Sequence, residues 1–176
     1  MGPVSAWVTY AVCSVALGGA LLVTVAGVGH GRDPRVLRVA LHAHAVLPVR
    51  VRGGVARVLP GIEVLVGASV LVAVLAVPVA APGPLVAESA LYAGFTAYLA
   101  VARRRRPGTP CGCFTGDAPA GRAVVVRAGG LAAGAVAAAV LSDHVAALPG
   151  TVRPLCLAGG FVTAMLAWLA PELTRL

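Results

Sequence analysis

Five apolar runs constrain this chain more than any other feature, because each is long enough to cross the hydrocarbon layer of a bilayer. They lie at about 4–29, 59–77, 85–102, 121–141 and 152–170, close to the roughly 20 apolar residues that a helical span needs. Continuous runs favour helices over the alternating strands of a barrel. Hydrophobic residues make up 59% of the 176 positions and charged residues 11%, which excludes soluble and disordered classes. We therefore predict an all-α, polytopic membrane helical bundle, a single integral membrane domain over residues 1–176.

Two connections between the spans are long and basic. The first, from His30 to Val58, carries six arginines and a short apolar stretch, Val39 to Val49, which predicts an interfacial helix. The second, from Arg103 to Arg122, opens with four consecutive arginines and is rich in proline and glycine. This composition predicts a loop between the third and fourth spans.

The distribution of arginine predicts the orientation of the bundle. The chain has 14 basic residues, all arginine, against six acids. With five spans, twelve of those arginines lie on the side of the two long connections, and Arg153 alone lies on the other side. The positive-inside rule then places both basic connections in the cytoplasm of a bacterial inner membrane and the N-terminus outside. Arginines that flank spans set orientation, so nucleic acid is not expected as a partner.

The segment Thr109-Pro110-Cys111-Gly112-Cys113-Phe114 is the most informative about chemistry. Glycine permits the backbone angles that a disulfide between cysteines two residues apart would demand, and a strained ring of this kind is easily reduced. Exchange needs a thiolate, and Arg103 to Arg106, five to eight residues before Cys111, would stabilise one. The pattern favours a redox-active dithiol and requires no cofactor.

Two other interpretations of the cysteines remain open. Soft thiolates suit copper(I) or zinc, and His42 and His44 of the first connection are conceivable further ligands in a metal-binding or transport protein. The two loop cysteines can also be incidental in a non-catalytic assembly subunit. The other two cysteines, Cys13 and Cys156, lie in the first and fifth spans at different expected depths, so we predict inert apolar side chains.

Ionisable residues inside spans are functional candidates, because an unpaired charge in hydrocarbon is costly. Glu63 and Arg127 enter their spans from the side of the cysteine loop at similar depth, and we predict that they pair as the floor of a dithiol site. The alternative is that Pro60 is the first helical residue, so that Glu63 is an ordinary first-turn acid, while Arg127 extends to the interface. Glu88, one turn after Pro84, is interpreted as a packing or first-turn residue rather than as a quinone- or proton-handling group.

Four motifs together resemble one family. The segment 59–63, Leu-Pro-Gly-Ile-Glu, opens a span; Cys-Gly-Cys-Phe at 111–114 follows the third span; Arg127 lies in the next; and 31–34, Gly-Arg-Asp-Pro, follows the first. This set resembles the methylamine-utilisation protein MauE family, within the wider DoxX-like group of membrane proteins. The resemblance covers about residues 4–141, hence four spans, and leaves the span at 152–170 outside. The chain departs from the family at Thr115, where glycine is usual after the phenylalanine.

The resemblance implies a membrane protein that works with a thioredoxin-like partner, in methylamine-using bacteria for maturation of the disulfide-rich small subunit of methylamine dehydrogenase. The corresponding activity is that of a thiol-disulfide oxidoreductase. We expect Cys111 to attack and Cys113 to resolve, supported by the four neighbouring or underlying residues Gly112, Phe114, Glu63 and Arg127.

Overall fold

The computed structural model describes residues 6–109 and 121–173. Their secondary structure is helical, in the order α1 (Ala6–Arg32), α2 (Pro34–His44), α3 (Val49–Ala76), a 3-10 turn (Pro78–Ala80), α4 (Pro82–Arg105), α5 (Arg122–Val140), α6 (Ser142–Ala146) and α7 (Arg153–Leu173). Five of them, α1, α3, α4, α5 and α7, are long and apolar enough to cross a membrane. The prediction of an all-α bundle with five membrane helices is confirmed, and the protein is an integral membrane protein.

The second membrane helix begins ten residues before the apolar run that predicted it. Helix α3 starts at Val49, so Arg50, Arg52 and Arg57, which we had assigned to the connection, are helical. At 28 residues the helix is about 42 Å long, which exceeds a hydrocarbon layer of about 30 Å. Its first turns therefore extend beyond the apolar layer, where arginine side chains are hydrated.

Pro60 lies inside α3 and does not begin a helix. Glu63 is 14 residues past Val49 and is 2% exposed. The alternative interpretation of Glu63 as an acid in the first helical turn is therefore wrong. The apolar run begins near Pro60, but the helix begins ten residues earlier and includes the basic residues before the run.

The first connection contains a helix, as expected, but α2 (Pro34–His44) begins five residues before the apolar stretch Val39 to Val49, and the last residue of that stretch already belongs to α3. The Asp33 side chain accepts a hydrogen bond from the Arg35 N–H at 3.0 Å, and Pro34 occupies the first helical position, so both start signals are present. The apolar face buries Leu37 and Leu41, which pack in one cluster with residues of α3. Helix α2 thus covers one end of the bundle.

Helices α1 and α7 run parallel and touch through glycine. The Tyr10 hydroxyl donates to the Leu155 carbonyl at 3.0 Å, and further along a β-carbon on Gly18 would lie 2.8 Å from the Gly160 oxygen. Small residues permit this approach, and in lipid such close packing supplies the attraction between helices. Helix α1 also packs on α3 and α5, so it forms the centre of the bundle.

Candidate functional site

The predicted dithiol residues Cys111, Gly112, Cys113 and Phe114 lie outside the described residues. The helices on either side of this segment are described: α4 ends at Arg105 and α5 begins at Arg122, and the two pack closely against each other. The last turn of α4 carries Arg103, Arg104 and Arg105. Both attachment points of the segment are therefore at the same end of the bundle, next to a guanidinium cluster.

A cavity of about 310 Å³ lies at that end of the bundle, among α1, α2, α3, α4 and α5. Its walls are mainly leucine, valine, alanine and phenylalanine side chains. Six polar side chains also line it: His30, His44, Glu63, Tyr92, Tyr98 and Arg127. His30 is two residues from the end of α1 and Arg127 five residues from the start of α5, so both side chains are at the end of the bundle where α4 ends and α5 begins.

Glu63 is paired with His30. The distance from His30 Nδ1 to Glu63 Oε2 is 2.9 Å, and both residues are buried. The contact depends on Gly27, because a β-carbon there would lie 2.7 Å from the Pro60 carbonyl oxygen and 2.8 Å from Glu63 Cβ. The absent side chain lets α1 and α3 approach closely where the pair forms.

Arg127 donates a hydrogen bond to a backbone carbonyl group, whereas we predicted an ion pair with Glu63. Its Nη1 donates to the Ala167 carbonyl of α7 at 3.1 Å. In a helix that carbonyl would accept from residue 171, which is proline and has no N–H. Arg127 thus satisfies an acceptor that the helix leaves open. The ion pair predicted between Glu63 and Arg127 is replaced by two separate contacts beside one cavity.

His44 and Tyr98 connect α2 to α4 beside the cavity. His44 Nδ1 and the Tyr98 hydroxyl are 3.0 Å apart, and the two ring centroids are 5.5 Å apart. His42 is exposed instead, with its Nδ1 2.9 Å from the Arg38 carbonyl oxygen. The two histidines offered as joint metal ligands therefore face different surroundings. Within residues 6–109 and 121–173, no three His, Cys, Asp or Glu side chains are grouped to hold a metal ion.

Cys13 and Cys156 lie side by side, so the prediction that their depths separate them is wrong. Both are fully buried in one core cluster, and their two thiol groups are close enough to interact with each other. Tyr10 is level with Leu155, so parallel α1 and α7 are offset and α1 starts further out. Counting residues from the start of each apolar run cannot detect that offset.

Glu88 is buried between α4 and α1. It is fully buried, and neither carboxylate oxygen has a hydrogen-bond partner among the described residues. A β-carbon on Gly19 would lie 2.6 Å from its Oε1, and one turn later the Tyr92 hydroxyl donates to the Gly19 carbonyl at 2.8 Å. Helix α4 begins at Pro82 and has no acid in its first turn, so the first-turn interpretation of Glu88 is wrong.

Sequence reasoning missed His30 and Tyr98 as residues of this site. His30 ends the first span on the side from which Glu63 enters the second, so their shared depth was a usable signal for a pair. Tyr98 offered no comparable signal, because an aromatic residue near the end of a span is ordinary in membrane proteins.

Comparison with known proteins identifies one family. The family described as "Methylamine utilisation protein MauE" matches residues 6–141, which covers α1 to α5 and the cysteine segment. No curated protein and no solved structure matches the chain. The matched range includes Glu63, Arg127 and both loop cysteines, and it agrees with the resemblance seen in the sequence. The chain belongs to the MauE family of methylamine utilisation proteins.

Proposed function

We propose that this membrane protein is a thiol-disulfide redox protein that uses Cys111 and Cys113 to exchange disulfides or electrons with a thioredoxin-like partner. The family links the chain to methylamine utilisation. The client that fits this link is the disulfide-rich small subunit of methylamine dehydrogenase. The arginine distribution supports a bacterial inner membrane orientation in which the cysteine segment faces the cytoplasm.

The observation that carries this proposal is the common location of three features at one end of the bundle. The two cysteines lie in the sequence that joins α4 to α5, the last turn of α4 carries three arginines, and the cavity with the buried His30–Glu63 pair lies at the same end of the bundle. Buried ionisable groups inside a membrane bundle are expensive and mark functional sites. Positive charge beside a thiol favours the thiolate, which is the nucleophile in exchange.

The exchange step needs only the two loop cysteines and a partner disulfide. The Cys111 thiolate attacks one partner sulfur, forming a mixed disulfide and releasing the other partner sulfur as a thiolate. The Cys113 thiolate then attacks the Cys111 sulfur, which closes the loop disulfide and frees the reduced partner. Two electrons pass from the loop to the partner, and the reverse sequence oxidises a partner dithiol.

Trapping of a mixed disulfide tests this chemistry. In a Cys13→Ala, Cys156→Ala background only the loop pair remains, and a Cys113→Ser variant should hold its partner covalently in a gel run without reductant. The matched Cys111→Ser variant should trap much less, because the attacking thiol is absent. The proposal is refuted if the Cys113→Ser variant forms no adduct and alkylation of the loop pair is unchanged by a mild thiol reductant.

Labelling with a membrane-impermeant maleimide tests the orientation. In the same background, we expect reduced Cys111 to react in inside-out vesicles and to stay unlabelled in intact cells. Labelling from outside intact cells would reverse the orientation without affecting the exchange chemistry.

A further inference from the structure

We propose that the cavity among α1, α2, α3, α4 and α5 binds the head group of a membrane quinone, which accepts the two electrons and two protons released when the Cys111–Cys113 dithiol is oxidised. This inference rests on the proposed function, since it names the electron acceptor of the same site. It is carried by the shape of the cavity, its opening towards lipid and its polar groups.

The cavity suits a small ring with an apolar tail. Its volume of about 310 Å³ lies at the lower end of the range of roughly 300–1,000 Å³ that small-molecule sites occupy. The walls are dominated by apolar side chains contributed by five helices, so a charged or strongly hydrated ligand would lose its hydration without replacement.

The cavity reaches the outer surface of the bundle beside α4. Ala90 and Gly94 both line it and are exposed, one turn apart on that helix. Helix α4 packs closely on α5 and much less on α3, which leaves part of the α4 surface uncovered. An exposed surface at this position in a membrane helix faces lipid. A ligand dissolved in the bilayer can therefore enter without crossing water.

The polar groups match both redox forms of a quinone. The two carbonyl oxygens of the oxidised ring accept hydrogen bonds, and the Arg127 guanidinium and the His44–Tyr98 pair supply donors. The reduced ring carries two hydroxyl donors, for which Glu63 is an acceptor. A phospholipid acyl chain, the other apolar occupant available, would form no hydrogen bond with any of these groups.

The redox step balances with a quinone as the oxidant. Two S–H bonds break at Cys111 and Cys113 and one S–S bond forms, which releases two electrons and two protons. The quinone takes up both, so that its two carbonyl groups become two hydroxyl groups. The hydrogen-bonded His30–Glu63 pair provides a group within the cavity that can hold a proton between its release and its uptake.

Direct binding to the full-length protein tests the site. Decylubiquinone is titrated into purified protein in detergent, and the bound fraction is measured by native mass spectrometry. We expect saturable binding at one molecule per chain. A Gly94→Phe variant should weaken it about tenfold or more, a change of about 1.4 kcal/mol, because its side chain would fill the lipid-facing mouth.

Gly130→Phe is the matched control. Like Gly94, Gly130 is an exposed glycine of a membrane helix with no atom near its added β-carbon, but it does not line the cavity. The Gly130→Phe variant should bind decylubiquinone as tightly as the unaltered protein does. Equal weakening by both substitutions, or unchanged binding by Gly94→Phe, would overturn the inference. The inference would also be overturned if the purified protein retained phospholipid in the cavity and bound no decylubiquinone.

The loop cysteines separate the inference from the function on which it rests. A Cys111→Ser, Cys113→Ser variant should bind decylubiquinone unchanged, while the reduced protein should lose two thiols per hydroquinone formed under anaerobic conditions. Quinone binding without thiol loss would refute the electron transfer from the dithiol to the quinone, while disulfide exchange with a protein partner would still be decided by the trapping test. Trapped mixed disulfides without quinone binding would refute the quinone site alone.

Discussion

Replacing Gly27 with alanine tests why Glu63 meets His30. A β-carbon at position 27 would lie 2.7 Å from the Pro60 oxygen, 2.8 Å from Glu63 Cβ and 2.9 Å from Val64 Cγ2, whereas ordinary contact begins at 3.4 Å. The two helices must therefore separate locally by about 0.5 to 0.7 Å. That movement stretches the 2.9 Å contact between His30 Nδ1 and Glu63 Oε2 to about the limit of a hydrogen bond.

The expected loss of folding free energy in Gly27→Ala follows from these contacts. Overpacking costs about 1–3 kcal/mol, and a weakened hydrogen bond to a charged group adds up to about 1.5–3 kcal/mol. Alanine in place of glycine also favours the helix by about 1 kcal/mol. Gly29→Ala carries only this gain, because a β-carbon there meets no atom within 4 Å. The difference between the two variants therefore isolates the steric and hydrogen-bonding terms.

Thermal unfolding in one detergent, followed by tryptophan fluorescence, measures this difference. At about 2–4 °C per kcal/mol for a chain of this size, Gly27→Ala should unfold at least about 2 °C below Gly29→Ala. The unaltered protein should lie between the two or near Gly29→Ala. Equal unfolding temperatures for both variants would mean that α1 and α3 do not touch at this level, and the geometry assigned to the His30–Glu63 pair would be wrong.

Three further predictions concern buried polar groups. His30→Gln and Glu63→Gln should each lower the free energy of unfolding by about 1–3 kcal/mol, because each disturbs a buried hydrogen bond, and the double variant should lose less than their sum by at least about 0.5 kcal/mol; additive losses would contradict the pair. Glu88→Met should raise the unfolding temperature, because it removes a fully buried carboxyl group without hydrogen-bond partners among the described residues and recovers about 1–3 kcal/mol of desolvation; a lower temperature would count against this account. With both loop cysteines replaced by serine, dibromobimane should bridge Cys13 and Cys156 within one chain, and two separately modified cysteines would refute their adjacency.

The sequence was sufficient to predict the membrane helices, because hydrophobicity over about 20 residues is a local property. The sequence was not sufficient to predict where α3 begins. Arg50, Arg52 and Arg57 lower the hydropathy of that stretch, but they leave its helical conformation intact, since arginine is a good helix former. Hydropathy reports which residues lie in lipid, and a helix can extend beyond the lipid in either direction.

Partners across the bundle were the part that the sequence did not determine. The cost of an unpaired charge in hydrocarbon indicates that Glu63 and Arg127 each need a partner, but not which one. The structure gives Glu63 the imidazole of His30 and gives Arg127 the carbonyl of Ala167. The second contact was accessible in principle, because a proline at 171 removes the donor that Ala167 would otherwise use. Recognising it required knowing that α7 lies beside α5.

Helix α7 lies outside the range that matches the family, yet it contacts residues inside that range along its length. Its Leu155 carbonyl accepts from Tyr10, its Gly160 meets Gly18, and its Ala167 carbonyl accepts from Arg127. The last contact positions a side chain that lines the cavity. The close contact between α1 and α7 fixes the position of Ala167 along the bundle. The position of the Arg127 side chain therefore depends on a helix outside the four membrane helices that match the family. The family match defines the membrane scaffold, and this additional helix completes one wall of its site.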